Sequence, residues 1–281
     1  NDKNIFNEFN LLKRRLETRQ YFSFVRFGDG EIHILKNANE PFASMLRTWS
    51  RFVDGDNTAC HGTWNIDSSS ANTHWKETEN FRRQPFGADL RSSLVVKSEN
   101  YYIGIPCGCN EYKDGFRAYL RENYTLPAKQ LTFANPFNNG LYCRFRHELI
   151  PIIKTYPLIL VSNEKSNILS FQKQGFQVEK WFPIPCKNAW EKYADLTAEI
   201  LAYTETNNIK NHLYVFSAGP VSNIIIAKLH VSHPGNFYID FGSCMDDFLK
   251  LQGGCRGYNR WFGWKQLAHC YWTHPTVPLQ L

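Results

Sequence analysis

The chain has 281 residues, 43% of them hydrophobic and 21% charged, which excludes wholesale disorder and leaves room for one large α/β domain or two small ones. The formal net charge of +6 is dispersed without a long Lys/Arg run, so the basic stripe of a nucleic-acid reader is missing and nucleic acid is not expected as a partner. No apolar run reaches the roughly 18–20 residues of a membrane-spanning helix, and the eight cysteines show neither C-x-x-C pairs nor zinc spacing, so they read as free, mostly buried thiols of a reducing, cytoplasmic setting.

Helical spacing runs through Ile5, Phe6, Phe9, Leu12 and Leu16. FSFVRF (22–27) then reads as a short buried strand, stopped by the turn signal Gly28-Asp29-Gly30, and EIHILKN continues as a helix. Residues 37–93 are the least regular part, rich in small polar residues, His and Trp. Such an excursion between regular elements suits a substrate-facing role. Beyond it the chain alternates. Strands are expected at 101–106, 130–135, 157–162, 179–185, 213–219 and 237–242, with helices between several of them, one over Ala189 to Tyr203. This rhythm predicts a single Rossmann-like, doubly wound α/β domain over 1–281, its mostly parallel sheet covered by helices on both faces.

The polar residues at the ends of the predicted strands matter most, because open α/β sheets bind ligands at that edge. Arg26-Phe27-Gly28-Asp29-Gly30-Glu31 places two carboxylates two residues apart, on one side if the segment is extended. Asp29 and Glu31 could hold Mg²⁺ or Mn²⁺, and Arg26 could meet phosphate, while Gly28 lets backbone approach a ligand. A plain turn with a helix cap fits the same residues. Lys187 and Asn188, in IPCKNAW, stand where a helix begins. Asn188 with Glu191 fits a capping box, and Lys187 adds charge where anions bind well. Ser217 and Gly219, in SAGP, join a strand to a helix that Pro220 would open. Asp240 and Ser243 close the last strand in IDFGS, and Arg256 and Arg260 could clamp a diphosphate. In the excursion, Asp67 stands close to Trp64 and His61. Trp64 could carry a sugar, and Asp67 could take a proton from an acceptor hydroxyl. Asp54 and Asp56 compete for that role but look more like a polar turn, and Asp67 also fits a cap for a helix starting at Ser68.

FVRFGDGEIHIL (24–35), PIPCKNAWEKY (183–193), YVFSAGPVSNIIIAKL (214–229) and FYIDFGSCMDDF (237–248), in this order, resemble the GT-D-type glycosyltransferases, which are built around a D-x-E motif. The resemblance implies a Rossmann-like domain, a nucleotide-diphosphate-sugar donor, and a D-x-E motif that contacts metal and donor, here Asp29 and Glu31. GSCMDDF lacks the His that often follows the last strand in that family.

The expected activity is inverting transfer of a sugar, from a UDP-sugar such as UDP-xylose or UDP-glucose, to a hydroxyl of a glycan acceptor. Asp29, Glu31 and Asp67 are its expected catalytic residues and Mn²⁺ or Mg²⁺ its cofactor. Arg26, Gly28, Lys187, Asn188, Ser217, Gly219, Asp240, Ser243, Arg256 and Arg260 would bind the donor, and His61 and Trp64 the acceptor. The sequence is compatible with a homodimer. A metal-dependent nucleotide-sugar hydrolase or phosphatase, and a non-catalytic carbohydrate-binding domain, are the rivals.

Overall fold

The structure, a computed structural model, describes residues 5–28, 31, 35, 85–105, 116–138, 141–186 and 189–251. Seven strands form one sheet: β1 (Ser23–Arg26), β2 (Tyr101–Ile105), β3 (Leu131–Phe133), β4 (Pro157–Asn163), β5 (Gln177–Ile184), β6 (Leu213–Ser217) and β7 (Phe237–Asp240). The order is β3-β2-β1-β7-β6-β4-β5, and every pairing is parallel. All seven lie where the hydrophobic runs predict them. The expected doubly wound α/β class is observed.

Side chains of a strand alternate between the two faces of its sheet, and both faces here are apolar because helices cover both. Phe24, Val215 and Ile239 point to one face, with Phe9 and Leu12 of the helix Ile5–Glu17, Phe145 of the helical stretch 142–153, and Phe171. Val25, Ile103, Phe216 and Tyr238 point to the other, with Leu90 of the helix Pro85–Leu94, Ile200 of Tyr193–Thr206, and Ile224 of Pro220–Ser232. Full burial of each such side chain contributes about 1.5–3 kcal/mol. Truncating Phe9, which has no exposed surface, would cost about 3–5 kcal/mol.

Two expectations need correction. The helix foreseen over Ala189 to Tyr203 is a 3-10 turn, Ala189–Glu191, followed by a helix from Tyr193 to Thr206. The tight turn lets both Ala189 and Tyr193 enter the core, and the later end buries Thr204 against the Tyr214 hydroxyl at 2.7 Å. The eight cysteines are not uniformly free and buried: Cys186 is disulfide-bonded, Cys143 is a free exposed thiol, and Cys244 a free buried one. The thiol argument for a reducing compartment therefore does not hold at Cys186. No helix among the described residues is long and apolar enough to cross a membrane.

Candidate functional site

The sheet opens at one place on its carboxyl edge. β1 stays paired with β2 through Arg26↔Gly104, and β6 with β7 through Phe216↔Asp240. Between β1 and β7, however, the register ends at Phe24↔Ile239. From β1 the sheet grows one way through β2 and β3, and the other way through β7 and β6. A change of direction of this kind leaves a crevice outside the carboxyl ends of the strands, where open α/β sheets take their ligands.

Arg26 bridges the opening. Its Nη1 donates to the backbone carbonyl of Phe241, just past β7, at 2.8 Å. Asn223, from the helix Pro220–Ser232, holds the backbone of the same residue: its Oδ1 accepts the Arg26 N–H at 3.2 Å and its Nδ2 donates to the Arg26 carbonyl at 2.8 Å. Gly242 lies against the guanidinium in a left-handed conformation (φ 52°), and a Cβ there would stand 2.6 Å from Arg26 Nη1. Any larger residue would be strained in its backbone and would displace the cation.

Two carboxylates lie beside this cation, each nearly sealed from solvent: Glu31 is 8% exposed and Asp240 4%. Glu31 Oε2 accepts the Gly28 N–H at 2.8 Å, and Asp240 Oδ1 accepts the Gly242 N–H at 2.9 Å. Burial pushes the Glu31 carboxyl up to about 7, and the nearby Asp240 charge adds to the rise, while backbone N–H groups and Arg26 oppose it. Burial likewise raises Asp240 to about 6 against the pull of Arg26 and the Gly242 N–H. One guanidinium thus faces two desolvated carboxylates, and shifted pairs of this sort concentrate where proteins bind or react. They mark a candidate active site.

No protein-family model matches the sequence, and no curated protein does. The chain is similar to two solved structures. One is a selenomethionine-substituted structure of domain of unknown function 1792 (DUF1792), at 14% identity and a TM-score of 0.47 over 87% of this chain and 80% of that one. The other, at 15% identity, a TM-score of 0.48 and the same coverage, is of the highly conserved domain of unknown function 1792, said to have a distinct glycosyltransferase fold. These figures give no residue of this chain a role.

Of the residues singled out in the sequence, Arg26, Gly28, Glu31 and Asp240 come together in the crevice. Ser217 and Gly219 lie on the same edge, at the end of β6, and Ser243 lies in the 3-10 turn Gly242–Met245 after β7. Gly219 precedes the helix with φ 57° and ψ −147°, a backbone conformation nearly reserved for glycine, and Pro220 occupies the first helical turn as expected. Asp29, His61, Trp64, Asp67, Lys187, Asn188, Arg256 and Arg260 lie outside the described residues, as do Asp54 and Asp56.

Glu31 and Leu35 are helical, as expected for EIHILKN, so the extended arrangement that would set Glu31 and Asp29 on one side does not apply to Glu31. The Glu31 carboxylate reaches back three residues to the Gly28 N–H, the geometry of half a capping box. Asn223 was missed entirely. Its signal was present in SAGPVSNIIIA: an amide in an otherwise apolar helical run must find a buried partner.

Proposed function

We propose that the protein is a glycosyltransferase that moves a sugar from a UDP-sugar to a hydroxyl of a glycan acceptor with inversion. The observation that carries this reading is the crevice between β1 and β7, where Arg26 stands with two buried carboxylates at a glycine-lined carboxyl edge. A nucleotide diphosphate offers phosphate oxygens that a guanidinium at this edge can bind. The D-x-E, SAGP and IDFG segments, which resemble GT-D-type enzymes, supply its residues.

Arg26 would hold the diphosphate, supported by Lys187, Arg256 and Arg260. The helix that starts behind Gly219 would direct its first N–H groups at phosphate or sugar. Asp240 and Ser243 would take hydroxyls of the ribose or sugar. The donor set suits a hard divalent cation: carboxylate oxygens are its preferred ligands, and its charge would favour the ionised form of the Glu31 carboxyl that burial disfavours. Among the described residues no three acidic, His or Cys side chains converge, so Asp29 would complete the set with Glu31. Mn²⁺ or Mg²⁺ held there would supply Lewis-acid stabilisation of the departing diphosphate. Asp67 would accept the acceptor proton, with Trp64 and His61 holding the acceptor sugar.

A nucleotide-sugar hydrolase could use the same diphosphate site, and its product distinguishes it. UDP release from UDP-glucose and UDP-xylose should be slow without acceptor and rise when a glycan is added. Release at one rate with or without any glycan offered would replace transfer by hydrolysis.

A further inference from the structure

Asn223 has no exposed surface and stands among Val221, Ile224, Ile225 and Ile226 on the helix Pro220–Ser232. Its carboxamide spends both of its bonds on one residue, accepting from the Arg26 N–H and donating to the Arg26 carbonyl. In a parallel sheet, successive residues of a strand turn their backbone groups to opposite neighbours. β1 reaches β2 through the Phe27 N–H, which donates to the Gly104 carbonyl at 2.8 Å. The groups of Arg26 therefore face β7, where a continuing ladder would take them. That ladder has stopped at Phe24↔Ile239. The side chain stands in for the missing rung.

We infer that Asn223 is a positioning residue: it keeps β1 and β7 parted and fixes the Arg26 backbone, so that the guanidinium is set for the donor diphosphate. The role rests on the donor reading above for its ligand, and on the strand geometry for its mechanism. Without the carboxamide, the two Arg26 groups must either find water or zip onto β7. Either outcome moves the base of a side chain that now reaches Phe241 across the opening.

The test is a double-mutant cycle on the full chain, with UDP and Mn²⁺ as probe in titration calorimetry. Asn223→Leu removes both bonds at similar volume, and Arg26→Ala removes the cation. UDP affinity should fall ~10-fold or more in Asn223→Leu, as for lost hydrogen bonds that serve a charged contact. In the Arg26→Ala background the same change should cost almost nothing, because both act through one group. Hydrogen exchange of the amides in 22–28 should change, quickening if the Arg26 groups meet water and slowing if they pair with β7, while that of β4 does not. Undiminished affinity in a folded Asn223→Leu protein, or losses that simply add, would overturn the assignment. If Asn223→Leu does not fold, Asn223→Ala removes the same two bonds with less bulk in the core, and the same cycle decides. If the wild-type protein fails to bind UDP, the donor reading falls by itself. Exchange then judges the wedge: unchanged rates over 22–28 overturn it, and faster or slower rates there leave it standing.

Discussion

The amino edge of the sheet and the β1–β7 gap at its carboxyl edge differ in the charge of their buried polar groups. At the amino edge they are neutral and satisfy one another. Asn236 accepts from the His212 N–H at 3.0 Å and donates to the Ile209 carbonyl at 2.9 Å, and the Tyr238 hydroxyl donates to the His233 carbonyl at 2.7 Å. His230 lies 2.7 Å from Ser23 Oγ, and burial lowers its pKa, which keeps the ring uncharged. At the carboxyl edge, Glu31 and Asp240 are buried close enough to one guanidinium to feel its charge, and burial pushes both toward protonation. A fold needs the first arrangement and gains nothing from the second. Charge held at a cost to stability is concentrated where proteins bind or react, which is the ground for proposing the ligand site here.

The largest expected effect breaks the carboxyl edge while leaving the fold intact. Glu31→Gln keeps an oxygen for the Gly28 N–H and removes only charge, so turnover of a UDP-sugar should fall by ~10²-fold or more, as for loss of a group acting on the transition state. A variant that turns over at the wild-type rate would reduce Glu31 to a helix cap. Asp67→Asn should lower transfer by ~10²-fold with UDP affinity unchanged, the signature of a lost base. Wild-type transfer there moves the base to Asp56 or His61.

The second effect concerns stability and has the opposite sign. The Glu31 carboxyl is raised from 4.5 to about 7 by folding, and Asp240 from 3.8 to about 6. A raised pKa means that folding favours the protonated form. The associated stability is fully present below the unfolded value and is lost as pH climbs through the folded one. In EDTA the protein should therefore unfold more easily at pH 8 than at pH 5. At pH 8 Glu31→Gln should be more stable than wild type, by on the order of 3 kcal/mol, and the difference should vanish near pH 4. Denaturant titrations at three pH values measure this directly, and equal midpoints at pH 8 would mean that Glu31 is not strained by burial.

The smallest effect belongs to the amino edge. Tyr238→Phe removes the hydroxyl that bonds the His233 carbonyl and Asn236, and should cost about 1–3 kcal/mol through the partners left unmet. Turnover should not change. A loss of activity with intact stability would erase the contrast between the edges.

Much of this was legible beforehand, and the reasons differ by element. Runs such as YVFS and FYID announce themselves because strands buried on both faces must be apolar throughout. Gly219 and Pro220 were readable because few other residues tolerate their backbone positions. Arg26 and Asp240 could be set at the carboxyl edge from strand order alone. The split between β1 and β7 was not readable, since it depends on where a ladder stops and on an amide from a helix nearly 200 residues away in sequence. Nor was the coupling of Glu31 with Asp240, two residues from opposite ends of the chain whose mutual burial no local pattern encodes. The helical state of Glu31 was readable from EIHILKN, but the return of its carboxylate to the Gly28 N–H was not, since the glycines between suit an extended segment and a tight turn equally.

The claim that the carboxyl edge is a nucleotide-diphosphate site has a direct measurement. A ligand that binds only the folded state raises the melting temperature, and at a given concentration a tighter ligand raises it further. With Mn²⁺ present, UDP should raise it well above the shift given by UMP, because Arg26 and the helix beginning at Pro220 act on the second phosphate. The excess should disappear in Arg26→Ala. Equal shifts for UDP and UMP, or an excess that survives in Arg26→Ala, would contradict the assignment of this crevice to the diphosphate.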